Sequence, residues 1–114
     1  MADKIWFHAD DYGVTIEQSQ RILDCWQKGA LNSVSVLPNT LVLKEVLQLL
    51  DQADPEETQI RRVLHLNFVE GKPLAGAENV PDLVDRTGYF DKGFLQFLQW
   101  NYLKKGTKRR ALIR

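Results

Sequence analysis

Cysteine is almost absent from the sequence: Cys25 stands alone, so no disulfide can form within the chain and a disulfide-stapled scaffold is excluded. Its place among Ile22, Leu23 and Trp26 predicts a packed thiol. Long apolar runs are missing as well, since stretches such as Leu41 to Leu43 fall far short of the roughly 20 residues that a membrane span needs. The N-terminal MADKIWF lacks a signal-peptide core followed by a small-residue cleavage site, and together these absences predict a cytoplasmic protein without a membrane segment. Net charge is lacking too, because 15 acidic residues balance 15 basic ones. The tail KKGTKRRALIR has six basic residues and no acid, so the preceding 103 residues carry a formal charge of −6. A basic run this short reads as a solvated helix face, and no nucleic-acid partner is expected.

What is present is ordinary globular composition, 44% apolar and 26% charged, in 114 residues that suffice for one domain, 1–114, with one core. KIWFHA (4–9) reads as a short buried strand with Ile5, Phe7 and Ala9 on one face and Trp6 and His8 on the other. Asp10 and Asp11 then fall at its C-terminal end. Thr15 and Gln18 have capping-box spacing, Ile22, Leu23 and Trp26 form an apolar stripe, and Lys28-Gly29 ends that helix. SVSVLP (33–38) predicts a second strand, and Leu43, Val46, Leu47 and Leu50 predict a second helix closed by the polar DQADPEETQ. RRVLHLNF (61–68) predicts a third strand. Residues 69–90, with three glycines and two prolines, read as a long functional loop, after which Phe94, Leu95, Phe97, Leu98 and Leu103 resume a helical pattern. The alternation predicts an α/β fold with parallel strands and a ligand site at their C-terminal ends.

The chemistry gathers at those ends. Asp11 and His65 offer a hard carboxylate and a neutral imidazole, a donor pair able to hold a divalent ion with positions left for water and substrate. The adjacent Asp10 would then stay ionised beside the cation and act as general base. Plainer readings stand beside these: Asp-Asp-x-Gly also suits a turn ahead of a helix, and His65 also suits a hydrogen-bonded structural histidine. His8 reads as packed or as a support to the site, while Asn39, Asn67 and Glu70 read as turn residues or as contacts to a substrate.

The segments HADDYG, KGALNSVSVLPN, HLNFVEGKPL and VPDLVDRTGYF, taken in order and spacing, resemble the N-terminal half of the YdjC-like carbohydrate deacetylases, the chitooligosaccharide deacetylase group. The resemblance runs over nearly all of residues 4–91. It implies the N-terminal βαβαβ portion of a distorted β/α barrel of the polysaccharide-deacetylase type, metal-dependent hydrolysis of the N-acetyl group of an acetylated sugar or oligosaccharide, and a homodimer. Position by position it makes Asp11 and His65 metal ligands and Asp10 the base. Magnesium is the metal it implies, with zinc also suited to one carboxylate and two histidines.

The chain departs from the family pattern at Ser19, where asparagine is frequent, and at Thr40, where glycine follows the asparagine at Asn39. No histidine follows His65, so the family's third ligand is not supplied, and a β/α barrel takes about 250 residues. The expectation is therefore an N-terminal piece of a larger barrel, ending inside a helix that starts near Thr107. The alternative is a non-catalytic half-barrel that binds sugar or self-associates.

Overall fold

A computed structural model describes residues 5–103 and the side chains of residues 5–99. The basic tail and the helix expected near Thr107 lie outside the described residues. The chain divides into two compact units, Met1–Leu66 and Asn67–Arg114, which are taken in turn.

In the first unit the order is β1 (His8–Tyr12), α1 (Ile16–Gln27), β2 (Ser33–Val36), α2 (Leu43–Ala53) and β3 (Arg61–Leu64). The three strands form one parallel sheet in the order β1-β2-β3. Thr15 caps α1 by accepting the Gln18 N–H at 3.1 Å, and Gly29 ends it in the left-handed region with φ of 77°. Ile16, Ile22, Leu23 and Trp26 form its inward stripe. Val46 and Leu50 of α2 are fully buried, and both helices pack with Tyr12, Val34 and Ile60 in one core. Ser33, Ser35 and Arg61 alternate with the core-facing strand residues and turn to the opposite, polar face of the sheet, where the Arg61 guanidinium lies 4.9 Å above the Trp6 ring.

Three expectations are corrected. The first strand is not 4–9 but His8–Tyr12; Ile5 and Phe7 are 70% and 61% exposed, and both aspartates lie inside the strand rather than after it. Hydrogen bonding to β2 decides this boundary, not the apolar run. The third strand ends at Leu64, with His65 extending the ladder through one bond, its N–H to Val36 C=O at 2.9 Å. Cys25 is exposed rather than packed, because two residues beyond Leu23 an α-helix has turned by about 200°.

Asp54, fully buried at the end of α2, accepts three backbone N–H bonds, from Thr58 at 3.2 Å, Gln59 at 3.0 Å and Ile60 at 2.8 Å. Burial pushes its carboxyl up, but those donors and the Arg62 guanidinium outweigh burial and hold it below the usual carboxylate range. Tyr12, also fully buried, donates its hydroxyl to Val46 C=O at 2.7 Å. Burial pushes this phenol up to about 12, with Asp51 raising it further and Arg62 opposing.

In the second unit the expected loop carries two 3-10 turns, Ala77–Asn79 and Pro81–Leu83, and an antiparallel bridge between Val84 and Phe90. Asp85 organises the turn that this bridge closes by accepting from the Thr87 hydroxyl at 2.6 Å and from the N–H groups of Thr87 and Tyr89. Val80 and Leu83 form a small core with Val84, Phe90 and Phe97. The last helix among the described residues, α3, spans Phe94–Leu103, and its Phe97 stacks on Phe68 with centroids 6.2 Å apart.

Asp54→Asn replaces one accepting oxygen with a donor and should destabilise the chain by about 1.5–3 kcal/mol at neutral pH. Because the folded pKa is lowered, this contribution is complete above the unfolded value near 4 and is lost as pH falls through the folded one. Urea denaturation of both forms across that range should show the gap closing as pH drops; a gap independent of pH would refute the assignment.

Candidate functional site

Ala9 pairs with Val34 and Tyr12 with Val36, so two residues of β1, Asp10 and Asp11, stand opposite the single residue Ser35. This is a β-bulge. It resolves a parity conflict, since Ala9 and Tyr12 are three residues apart and a regular strand would send them to opposite faces, yet both pack in the helix-facing core. Asp11 absorbs the extra residue in the left-handed region, with φ of 61°, a conformation that aspartate tolerates better than most residues. The first turn of α1 holds the distorted segment from behind. Gln18 Nε2 donates to Asp11 C=O at 2.8 Å, and the buried Ser19 Oγ accepts Gly13 N–H at 3.0 Å while donating to Thr15 C=O at 2.8 Å. Ser19 is thus a structural tie.

The bulge brings both carboxylates to the polar face around one hydroxyl. Ser35 Oγ lies 3.0 Å from Asp10 Oδ1 and 2.9 Å from His65 Nδ1. Asp11 Oδ1 is 3.4 Å from His65 Nδ1, and His8 Nε2 is 3.3 Å from Asp10 Oδ1. The other nitrogen of His8 meets Ser33 Oγ at 2.7 Å. Asp10, Asp11 and His65 are therefore gathered at one place, and His8, Ser33 and Ser35 hold them. The two serines escaped the sequence reading; the alternation of small hydroxyl residues in SVSV, opposite the strand that carries the aspartates, was the signal available.

The donor chemistry fits a divalent ion in part. A carboxylate and an imidazole stand side by side at the C-terminal ends of their strands, both with solvent access, and such oxygen and nitrogen donors suit magnesium or zinc. Among the described residues no group of three His, Cys, Asp or Glu side chains could hold an ion unaided. Asn39 lies half-buried in the turn after β2. Asn67 and Glu70 belong to the second unit, where Asn67 Oδ1 accepts the N–H groups of Val69 and Glu70, both at 3.1 Å, and Nδ2 donates to Glu70 C=O at 2.9 Å. That is turn chemistry.

Gly13 sits at φ of 103°, and an added Cβ would come within 3.2 Å of Val46 Cγ2. Gly13→Ala should therefore cost about 1–3 kcal/mol, through left-handed strain and overpacking together. Chemical denaturation checks this, and a loss below a few tenths of a kcal/mol would contradict the placement of the turn.

The profile of the family described as YdjC-like protein matches residues 4–113. A carbohydrate deacetylase of Thermoanaerobacter pseudethanolicus is 33% identical over 87 residues, covering 76% of this chain and 33% of that protein. A carbohydrate deacetylase of Danio rerio is 28% identical over 103 residues, covering 89% of this chain and 31% of the relative. A crystal structure described as a cellobiose-phosphate cleavage protein from Enterococcus faecalis superposes with a TM-score of 0.66 at 30% identity, covering 73% of this chain and 31% of that one. The chain thus spans about a third of the length of the curated relatives it matches.

Proposed function

Because the chain belongs to the YdjC-like family, we propose that it is the N-terminal part of a metal-dependent carbohydrate deacetylase, a hydrolase of the linear amide of an N-acetylated sugar or oligosaccharide. The observation that carries this reading is the bulge that gathers Asp10, Asp11 and His65 around Ser35. A partial β/α barrel of the polysaccharide-deacetylase type is part of the proposal. The parallel order β1-β2-β3 supports it, with both helices packed in the same core, since a barrel adds strands consecutively and a doubly wound sheet reverses.

Asp11 and His65 would hold the divalent ion, magnesium by family pattern or zinc as the alternative. When bound, such an ion supplies polarisation of the amide carbonyl and a lowered pKa for the attacking water. The chain's own residues do the rest of this half of the site. Asp10 acts as general base, and because its contacts with Ser35 and His8 both fall on Oδ1, Oδ2 is the oxygen left to accept the proton. Asn39, Asn67 and Glu70 are the proposed contacts to sugar hydroxyls. No described helix is long and apolar enough to cross a membrane. The exposed, unpaired Cys25 suits a reducing compartment, which supports the cytoplasmic placement.

In a full-length relative, substitution of the residue matching Asp11 by Asn should abolish metal-dependent acetate release, and the same change at Asp10 should lower kcat by about 10²–10⁴-fold. Turnover at the parental level in either variant, or in chelated enzyme, would reject the assignment.

A second reading, a non-catalytic half-barrel that self-associates or binds sugar, is favoured by the exposed apolar residues at the outer strands, Ile5 and Phe7 just before β1, Leu64 at the end of β3 and Leu66 just beyond it. Calorimetric titration of the 114-residue chain with magnesium and zinc, joined to sedimentation analysis, separates the two. A near-stoichiometric ion in a homodimer supports a working site, whereas association without ion binding supports the half-barrel.

A further inference from the structure

The two serines of β2 on the polar face are shut off from solvent, Ser33 at 0% and Ser35 at 4% exposure, and each meets Nδ1 of a histidine. A hydroxyl carries one hydrogen and a neutral imidazole one N–H, so the direction of each contact follows from what else the two groups touch. An ionised carboxylate can only accept. Ser35 Oγ is 3.0 Å from Asp10 Oδ1, so its hydrogen goes to Asp10 and its lone pair takes the N–H of His65 Nδ1. Asp11 Oδ1 lies 3.4 Å from the same nitrogen, a carboxylate whose charge also favours a hydrogen there. On His8 the carboxylate stands at the other end of the ring, with Nε2 3.3 Å from Asp10 Oδ1. Nε2 of His8 therefore holds the hydrogen, and Nδ1 accepts from Ser33.

We propose that Ser35 is a positioning residue that locks His65 in the Nδ1–H tautomer, opposite to the Nε2–H form of His8, with Asp10 as the shared acceptor that sets both directions and Ser33 donating to His8 Nδ1. The consequence for catalysis rests on the deacetylase reading: His65 then presents the Nε2 lone pair to the ion, and Asp10 Oδ1 is pinned from two sides. Supports of this kind around a metal ligand change ion affinity by about 10–100-fold.

The chain has only two histidines, so both rings can be resolved in long-range proton–nitrogen correlation spectra of the isotope-labelled 114-residue chain. At about pH 9, above the ordinary imidazole range, His65 should show the Nδ1–H pattern and His8 the Nε2–H pattern. Ser35→Ala should release His65 toward Nε2–H without moving His8, Ser35→Thr should restore it, and Ser33→Ala should leave His8 in the Nε2–H form, because Asp10 still stands beside that nitrogen. A wild-type His65 in the Nε2–H form overturns the proposal, as does a His65 tautomer indifferent to Ser35→Ala. The wild-type spectrum decides even where a variant does not fold. Magnesium titration adds a separate readout, expected to weaken about 10–100-fold in Ser35→Ala and to recover in Ser35→Thr. Opposed tautomers in a wild-type chain that binds no ion would uphold the tautomer assignment and overturn the metal reading alone.

Discussion

The helix-facing core takes both Ala9 and Tyr12 from a strand in which they are three residues apart, and the two-residue period of a β-strand forbids this unless one residue is left over. The surplus residue is the bulge, and its position, opposite Ser35, determines what the polar face can do. Without it, one of two adjacent carboxylates would point into the helices, where burial of an unpaired charge is prohibitive. With it, both reach solvent; Asp11 meets His65 at the end of β3, and Asp10 is linked to the same imidazole through Ser35. Packing on one face of the sheet and chemistry on the other are thus solutions to the same parity condition.

The bulge is tied down by neighbours that have no chemistry of their own. Gln18 and Ser19 bond the backbone of residues 11 and 13 from the first turn of α1, and Tyr12 reaches across to the carbonyl of Val46 in α2. Each is worth only about 1 kcal/mol alone, but together they resist the straightening that would return β1 to a regular ladder. A left-handed non-glycine residue such as Asp11 persists only under surroundings of this kind.

Much of the fold was legible because helical and strand periods differ. The inward stripe of α1, the Thr15 cap, the stop at Gly29 and the buried SVSV strand all read directly from spacing. The start of β1 did not, because Ile5, Trp6 and Phe7 are as apolar as a strand, and only the position of β2, whose Ser33 N–H reaches no further back than the Phe7 carbonyl, shows where the pairing begins. The bulge left no mark either, since Asp11 does the work that a glycine would have announced. Asp10, Asp11 and His65 could be named from residue type, but their convergence depends on that hidden extra residue. Ser33 and Ser35 looked like filler in a strand, and Asp54 like one more charge in a polar loop, until partners made them specific.

Asp54 has a further bearing on the polar face. By gathering three successive N–H groups it fixes how many residues separate the end of α2 from the first residue of β3, and so which β3 residues lie opposite Ser33 and Ser35. A one-residue insertion or deletion within 55–60 would slide β3 by a single step and rotate every side chain on it to the other face, carrying His65 away from Asp11. The length of that short connection is therefore as much a property of the site as the imidazole itself, and it tolerates changes of composition far better than changes of count.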